Sequence, residues 1–284
     1  MKDKHIVFMG TPDFSVPTLK AIHSAFPTTK LSVVSKPDKR RGRGSETSPC
    51  PVKKWAEEHT LEVYTPETKQ ALSELVETLQ PDLIIIIAYG MILPKDITDA
   101  FLCINIHASL LPKYRGPSPI HAALLNGDGE TGVTLMCINE KMDAGDILTK
   151  VSVPIQDTDT FGSLHDSLSE LGAKHLVEFL GTQPLNSLIR HPQDETQASY
   201  CALIQKEDSI IDWDLSPQDM LNRIRAFSPL PGATLTHHGK KIKILEAKIE
   251  DGKVHFITVK PEGKAAMSYQ DYCLGHPEGL YHVE

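Results

Sequence analysis

The sequence lacks the common signatures of metal-binding, membrane and P-loop proteins. Its five cysteines are scattered, no C-x-x-C pair occurs, and no Cys/His cluster has the spacing of a zinc site. No apolar run reaches the roughly 18–20 residues of a membrane span, and the N-terminus has no long apolar core of a secretory signal. The phosphate-binding motif G-x-x-x-x-G-K-S/T is also absent. We therefore expect a cytoplasmic protein with reduced thiols and without a metal ion.

The composition suits a globular protein that is not dominated by positive charge. The 284 residues allow one large or two ordinary domains, on a prior of roughly 100–200 residues per domain. Hydrophobic residues make up 40% of the chain, which is enough for a core, and the net charge is −8. This balance argues against a protein coated in basic charge, although it leaves room for a local basic patch.

The first third of the chain alternates strand and helix patterns. The apolar run from His5 to Met9 ends at Gly10, Ser15 is placed to cap a helix, and Leu31 to Val34 is the next strand candidate. Asp82 to Ala88 is the most apolar run of all, as expected for a strand covered on both faces. This order predicts an α/β fold with a Rossmann-like open parallel sheet.

Three polar side chains define a candidate reaction centre. Asn105 and His107 lie two apart in a strand candidate, so they share one face, and Asp143 follows the strand candidate Gly132 to Ile138. An amide can donate to a developing oxyanion, an imidazole can move a proton near neutral pH, and a carboxylate can hold the imidazole in one tautomer. If a substrate supplies an amine, no Ser or Cys nucleophile is needed. The set is suited to acyl transfer between two bound substrates. The alternative is a structural histidine, which is the usual interpretation of a lone histidine near a strand end, and these three residues by themselves leave it open.

The motifs around these side chains resemble those of the folate-dependent formyltransferase family. The chain has N-x-H at Asn105, S-L-L-P from Ser109, Y-R-G-P-S-P-I from Tyr114 and D-A-G-D from Asp143. We assign Asn105 to the oxyanion, and His107 to the oxyanion and to proton transfer to the departing folate nitrogen, with Asp143 orienting His107. The resemblance also implies a pterin bound by loops beyond the carboxyl ends of neighbouring strands. The predicted folate-binding residues are Tyr89, Gly90, Met91, Ile92, Leu93, Ser109, Leu110, Leu111 and Pro112.

A basic segment, K-P-D-K-R-R-G-R-G, follows the second strand candidate. It contains five Lys and Arg and only one acidic residue, Asp38, and its two glycines favour a flexible backbone. One interpretation is a solvated loop. The other is a mobile arm that contacts phosphates, which its contrast with the acidic whole favours. Methionyl-tRNA formyltransferases carry a similar basic G-R-G loop that inserts against the tRNA acceptor stem, so the resemblance implies tRNA contacts by Arg40, Arg41 and Arg43.

The second half of the chain predicts a smaller, separate module. Residues 181–198 are polar and contain prolines, which is typical of a linker. A helix from Pro217 to Phe227, capped by Ser216, precedes three short strand candidates at 232–236, 241–247 and 253–259. The motifs I-D-W, R-I-R-A-F-x-P-x-P-G and K-I-K-I-L-E-A resemble the C-terminal oligonucleotide-binding (OB) domain of the same family.

This module departs from the family in length and in charge. The chain between Glu246 and Gly263 is too short for a full five-stranded barrel, so we expect a shortened OB-like β-barrel domain. From Lys206 onward there are ten Lys and Arg against twelve Asp and Glu, which weakens a general affinity for phosphates. The predicted domains are a formyltransferase catalytic domain at 1–182, a linker at 183–203 and the OB-like domain at 204–284.

The resemblance as a whole implies methionyl-tRNA formyltransferase activity. A formyl group would pass from the co-substrate 10-formyltetrahydrofolate to the α-amine of methionine on initiator methionyl-tRNA, in translation initiation and without a metal. The expected partners are initiator methionyl-tRNA and reduced folate, with no membrane. We expect a monomer, although nothing in the sequence separates a monomer from a dimer.

Three alternatives follow from the same residues. Sugar-nucleotide N-formyltransferases share the catalytic half and modify the C-terminal module, and the shortened acidic module favours them, whereas the basic arm and the Y-R-G match do not. A formyltetrahydrofolate hydrolase would have a ligand-sensing domain ahead of the catalytic half, which here begins at residue 1. A non-catalytic nucleic-acid-binding protein would need a disabled trio and a basic barrel, and the sequence has neither.

Overall fold

The computed structural model describes residues 1–40 and 47–280, which divide into two compact units. The first unit contains Met1–Arg115, Gly132–Ser152 and Asp166–Ser199. The second contains Gly116–Thr131, Val153–His165 and the chain from Tyr200 onward. Each unit thus draws on several parts of the chain. The domain limits placed after residues 182 and 203 stay a prediction.

The first unit is built on a seven-stranded sheet. The strands in the first part of the chain are β1 (His5–Gly10), β2 (Lys30–Val34), β3 (Lys39–Arg40), β4 (Thr47–Ser48), β5 (Glu62–Tyr64), β6 (Leu83–Ile87), β7 (Cys103–His107), β8 (Glu130–Cys137) and β9 (Ile147–Pro154). The sheet order is β5-β2-β1-β6-β7-β8-β9, and β3 and β4 form a separate antiparallel pair. Pairing is parallel from β5 to β7 and antiparallel between β7 and β8. The prediction of a Rossmann-like sheet is therefore confirmed, and β9 lies at one edge of the sheet.

The central strands are buried because their sequences are apolar on both faces. Strand β6 reads L-I-I-I-I and every residue of it is buried. It pairs with β7 in a register that places Ile84 opposite Cys103 and Ile86 opposite Asn105. The apolar strand β6 thus fixes the position of the more polar strand β7.

Eight α-helices accompany the strands within the described residues. They are α1 (Val16–Ala25), α2 (Pro51–Glu58), α3 (Lys69–Leu79), α4 (Lys95–Ala100), α5 (Pro119–Leu125), α6 (Phe161–Thr182), α7 (Pro217–Phe227) and α8 (Tyr269–Gly275). The Ser216 hydroxyl accepts a hydrogen bond from the Asp219 amide at 3.1 Å, which confirms the predicted cap of α7. The predicted cap of α1 is wrong. Ser15 precedes that helix, but its hydroxyl donates to the Ile87 carbonyl at 2.7 Å and makes no capping bond.

The second unit contains a small antiparallel sheet. Its strands are β10 (Ala233–His237), β11 (Lys240–Glu250), β12 (Lys253–Pro261) and β13 (Met267–Ser268), paired in that order. Within the part of the chain that the structure describes, the sheet has four strands, in agreement with a module shorter than the five-stranded barrel of the family. The register between β11 and β12 is irregular around Glu246.

The segment predicted as a linker makes ordered contacts with the first unit. Ile147, at the start of β9, exchanges two backbone hydrogen bonds with His191, at 2.8 and 2.9 Å. Short 3-10 helices at Leu185–Ser187 and Glu195–Gln197 flank this bridge. Among the described residues, no helix has both the length and the apolar character needed to cross a bilayer.

Candidate active site

Strand β7 presents Asn105 and His107 on one face, as the spacing of two predicts. Asn105 is opposite Met136 of β8, and His107 is opposite Thr134. Asn105 is half-buried, whereas only 6% of His107 is exposed. Both side chains thus lie near the carboxyl end of a central strand, which is where open α/β sheets bind ligands.

Asp143 belongs to the loop between β8 and β9, and its backbone has a left-handed φ of +49°. The ends of the loop are tied together, because the Cys137 amide donates to the Asp146 carbonyl at 2.8 Å. Gly145 passes so close to Cys137 that a Cβ at this position would overlap the Cys137 carbonyl. The glycine in D-A-G-D is therefore required by the tight approach of the loop to the end of β8.

The three predicted side chains meet at the Asp143 carboxylate. Asn105 Nδ2 lies 3.5 Å from Asp143 Oδ1, and His107 Nδ1 lies 3.8 Å from the same oxygen. On the other side of the ring, His107 Nε2 lies 2.9 Å from the Tyr114 carbonyl. A carbonyl only accepts hydrogen bonds, so Nε2 carries a proton and Nδ1 is the nitrogen that faces the carboxylate.

This geometry gives the imidazole two acceptors, one at each nitrogen. A neutral ring with its proton on Nε2 satisfies only the Tyr114 carbonyl, whereas an imidazolium also presents a donor to Asp143. The ring can therefore take up and release a proton at Nδ1 while the bond at Nε2 holds it in place. No thiol competes for the role of nucleophile on this strand, since burial raises the pKa of Cys103 to about 12.

Gln193 holds the Asp143 loop, and sequence reasoning missed it. Its side-chain amide donates two hydrogen bonds of 2.8 Å, one to the Asp143 carbonyl and one to the Gly145 carbonyl. Its oxygen accepts a hydrogen bond of 3.0 Å from Arg115 Nε. Gln193 lies in the predicted linker, where a polar composition gave no sign of a contact with residues about fifty positions earlier.

A buried arginine anchors Gln193 in turn. Only 1% of the Arg115 side chain is exposed, and its two terminal nitrogens donate to the two carboxylate oxygens of Glu195 at 3.0 Å each. These hydrogen bonds from Arg115 are the main reason that the pKa of Glu195 lies below its usual value. The Y-R-G motif therefore has a structural role: it connects the end of β7 to the segment that carries Gln193.

The two predicted folate-binding loops follow neighbouring parallel strands. Tyr89 follows β6, and its side chain is buried in the core, which raises its pKa to about 12. Its carbonyl accepts a hydrogen bond from Thr11 Oγ1 at 2.9 Å. Gly90 and Ile92 are exposed, Ile92 to 67%, whereas Met91 and Leu93 are half-buried against the core. In this loop, the groups open to a ligand are thus the backbone at Gly90 and the apolar side chain of Ile92.

The second loop, residues 109–112, is braced by Thr134 of β8. The Thr134 hydroxyl donates to the Ser109 carbonyl at 2.6 Å and accepts from the Leu111 amide at 3.1 Å. Ser109 and Leu111 are buried, whereas Leu110 and Pro112 are half-buried. Both loops extend from the same edge of the sheet, since β6 and β7 are adjacent and parallel.

The predicted tRNA-binding arm is described only at its base. Arg40 ends strand β3 and pairs with Thr47 of β4. Arg41 and Arg43 lie outside the described residues. The single acid of the segment, Asp38, forms an ion pair of 2.9 Å with Lys53.

Comparisons with known proteins agree with the motifs. Residues 4–180 match the family described as Formyl transferase, and residues 203–257 match Formyl transferase, C-terminal domain. A curated methionyl-tRNA formyltransferase of Methylococcus capsulatus is 40% identical over 299 aligned positions, which cover 95% of this chain and 96% of the relative.

Two solved structures share the fold. Methionyl-tRNA formyltransferase from Clostridium thermocellum superposes with a TM-score of 0.63 at 17% identity, covering 91% of this chain and 98% of its own. An N-formyltransferase from Helicobacter canadensis, in complex with folinic acid and dTDP-3-aminofucose, gives a TM-score of 0.66 at 21% identity and covers 88% of both chains. With both halves matched and a relative 40% identical over nearly its whole length, the chain belongs to the formyl transferase family and is a formyltransferase.

Proposed function

We propose that this enzyme transfers a formyl group from 10-formyltetrahydrofolate to the α-amine of methionine on initiator methionyl-tRNA. The observation that carries the proposal is the convergence of Asn105 and His107 on one oxygen of Asp143, in a chain 40% identical to a curated methionyl-tRNA formyltransferase. The proposed role is in translation initiation, and its proposed location is the cytoplasm. The monomeric state stays a prediction.

The proposed reaction begins when the neutral amine attacks the formyl carbon, forming a C–N bond and placing negative charge on the formyl oxygen. The Asn105 amide would donate a hydrogen bond to that oxygen, because a donor aimed at developing charge lowers the barrier. The bond from the formyl carbon to N10 of the folate then breaks, and a proton moves to N10. The products are N-formylmethionyl-tRNA and tetrahydrofolate, with one proton passed from the amine to N10 overall.

His107 is the group that would move this proton. Its Nε2 is held by the Tyr114 carbonyl, so Nδ1 is the nitrogen that can exchange a proton with a substrate. Asp143 would stabilise the imidazolium formed in transit, since a carboxylate close to the ring favours its charged form. The Asp143 oxygen lies 3.8 Å from Nδ1. At this distance the carboxylate would orient the ring, and a substrate would not have to break a short hydrogen bond between the two side chains.

Gln193 would serve as a positioning residue for this step. Its two donated hydrogen bonds hold the backbone on both sides of Ala144, and Asp143 itself has a left-handed backbone. Loss of these bonds would free the loop to move the carboxylate away from Nδ1. A displacement of about 1 Å is enough to slow a reaction that depends on aligned groups.

The proposed folate site lies between the loops that follow β6 and β7. Three observations support this placement: the two loops share one edge of the sheet, the apolar side chain of Ile92 is exposed, and the backbone at Gly90 is accessible. Folinic acid in the Helicobacter canadensis relative supports a reduced folate as the donor. The proposed chemistry needs an amide, an imidazole and a carboxylate, and no metal takes part in it.

For the acceptor, we propose that Arg40, Arg41 and Arg43 contact phosphates of the tRNA. The support is the run of basic residues in a chain of net charge −8, together with the family relationship. From Lys206 onward, acidic residues slightly outnumber basic ones, so a basic arm would supply much of the attraction to RNA.

An amino-sugar nucleotide is the second candidate acceptor. It is favoured by the small four-stranded module and by the dTDP-3-aminofucose in the Helicobacter canadensis relative. The identity of 40% to a methionyl-tRNA enzyme over 96% of its length outweighs a structural likeness at 21%.

One assay separates the two acceptors. The purified enzyme is given the folate donor with charged initiator tRNA, and in parallel with dTDP- and UDP-linked amino sugars, and formylated products are quantified. We expect formylmethionyl-tRNA and no formylated sugar. Turnover of an amino-sugar nucleotide alone would replace the proposed acceptor, and no transfer to any acceptor would refute the proposed function.

A further inference from the structure

A second cluster of ionisable side chains lies in the second unit and has no part in the proposed chemistry. His237 ends β10 and His238 begins the turn to β11, whereas His276 and Glu278 follow α8. One carboxylate oxygen, Glu278 Oε1, lies 3.4 Å from His238 Nε2 and 3.6 Å from His276 Nδ1. Ligand atoms of His237, His238 and Glu278 all lie within 4.8 Å of one another.

These separations suit a metal ion. Zinc binds imidazole nitrogen and carboxylate oxygen at about 2.0–2.2 Å, so two donors of a tetrahedral site lie about 3.3 Å apart. The two measured separations to Glu278 are close to this value. Small rotations of the half-buried and exposed side chains would complete the set.

A buried tyrosine orients the imidazoles. The Tyr272 hydroxyl lies 3.2 Å from His237 Nδ1, which leaves Nε2 as the ligand atom. The same ring stacks on His276, with centroids 4.5 Å apart and planes 20° apart. Histidines that bind metals are typically held through their other nitrogen in this way.

We propose that His237, His238 and Glu278, with His276 as the fourth donor, bind a divalent transition-metal ion of the Zn²⁺ class. A nitrogen-rich donor set selects such ions over Mg²⁺ and Ca²⁺, which prefer oxygen. The expectation of a metal-free protein rests on the absence of short Cys/His motifs, whereas the proposed ligands come from two segments about forty residues apart. The ion would tie the β10–β11 turn to the chain after α8. This inference is independent of the proposed formyl transfer.

Zinc titration of the full-length, untagged protein tests the site. The protein is dialysed against a chelator and then titrated with Zn²⁺ by calorimetry, and with Co²⁺ by visible absorption, which reports a four-coordinate site. Wild type should bind one ion and unfold at a higher temperature when loaded. His238→Ala and Glu278→Gln should each weaken Zn²⁺ binding at least about 10-fold.

The matched control is His59→Ala, which removes an exposed imidazole from the first unit. It should bind Zn²⁺ as wild type does. Circular dichroism measures whether His238→Ala and Glu278→Gln are folded. If His238→Ala does not fold, the near-isosteric Glu278→Gln still tests the site. Failure of wild type to bind Zn²⁺, or equal binding by wild type, Glu278→Gln and His59→Ala, would overturn the proposal.

Discussion

At the scale of single side chains, His107 is fixed by one hydrogen bond and one charge. The Tyr114 carbonyl fixes the ring at Nε2, and Asp143 faces Nδ1 at 3.8 Å. A bond at one nitrogen sets the tautomer at the other. The proposed proton transfer therefore depends on two groups. Substitution can remove the Asp143 carboxylate, but it cannot remove the Tyr114 backbone carbonyl.

Asn105→Ala tests the proposed oxyanion donor. Removing one such donor typically lowers the rate about 100- to 1,000-fold, and we expect that loss in kcat with little change in folate affinity. Steady-state formylation and folate binding by fluorescence measure the two quantities. Asn186→Ala, at an exposed position, is the matched control. Near-normal kcat in Asn105→Ala would show that the amide has no part in the chemistry.

Gln193 gives a test of positioning rather than of chemistry. Gln193→Ala loses the two bonds donated to the Asp143 and Gly145 carbonyls, each with a net value of about 1 kcal/mol. We expect kcat to fall about 10-fold or more, while the exposed control Gln197→Ala stays active. Gln193→Glu should be slower still, because a carboxylate cannot donate to carbonyls.

The ratio of kcat to KM effects separates positioning from general damage. A positioning role predicts a lower kcat with an almost unchanged KM for the folate, alongside the fall of several degrees in melting temperature that the loss of about 2 kcal/mol implies. If Gln193→Ala instead raises both KM values and leaves kcat intact, the residue supports the fold and not the geometry of Asp143.

At the scale of elements, the packing of α5 on α7 in the second unit involves a histidine. The His121 ring stacks on Phe161, with centroids 4.1 Å apart, and contacts Phe227 at 5.6 Å. Burial lowers its pKa to about 4, against an ordinary value of 6.5. The imidazole is therefore neutral in the folded protein at pH 5, where it is mostly charged in the unfolded chain.

This difference predicts acid sensitivity. Below pH 6.5 the unfolded chain binds a proton that the folded protein takes up only near pH 4, so stability declines as the pH falls between these values. A shift of this size corresponds to about 3 kcal/mol. Urea unfolding of wild type and His121→Phe at pH 7 and pH 4.5 measures the effect. The variant should lose less stability on acidification, and equal losses would show that His121 does not titrate as described.

Local sequence patterns predicted the elements well because those elements follow local rules. The apolar run of β6, the spacing of two in β7 and the Ser216 cap of α7 each depend on neighbours in the chain. Ser15 was predicted to cap α1, but the Ile87 carbonyl takes its hydroxyl. Gln193 was missed for the same reason, since its partners lie about fifty residues away and a polar, proline-containing segment does not reveal them.

At the scale of the whole molecule, the enzyme and its proposed tRNA substrate both carry net negative charge. The net charge of −8 opposes association with tRNA, so a local basic arm would have to supply the attraction. The proposed arm predicts a reaction that weakens as salt is added, because each contacted phosphate releases counterions.

Substitution of the arm tests this directly. Arg41→Ala combined with Arg43→Ala should raise the KM for tRNA and reduce the salt dependence by about one unit of slope per arginine. The KM for the folate should not change. Lys2→Ala, which removes an exposed charge elsewhere, is the control. A salt response identical in wild type and the double variant would exclude the arm from RNA binding.

The central proposal is that Asn105, His107 and Asp143 together carry a formyl group from a reduced folate to the amine of methionyl-tRNA. Single-turnover transfer of labelled formyl, with the enzyme in excess over the labelled donor and with charged initiator tRNA saturating, tests it most directly in wild type and in Asp143→Asn. We predict that wild type transfers the label to the tRNA and that the rate is lower by about 100-fold or more in the variant. Equal rates in the two proteins, or no label on the tRNA with wild type, would contradict the account.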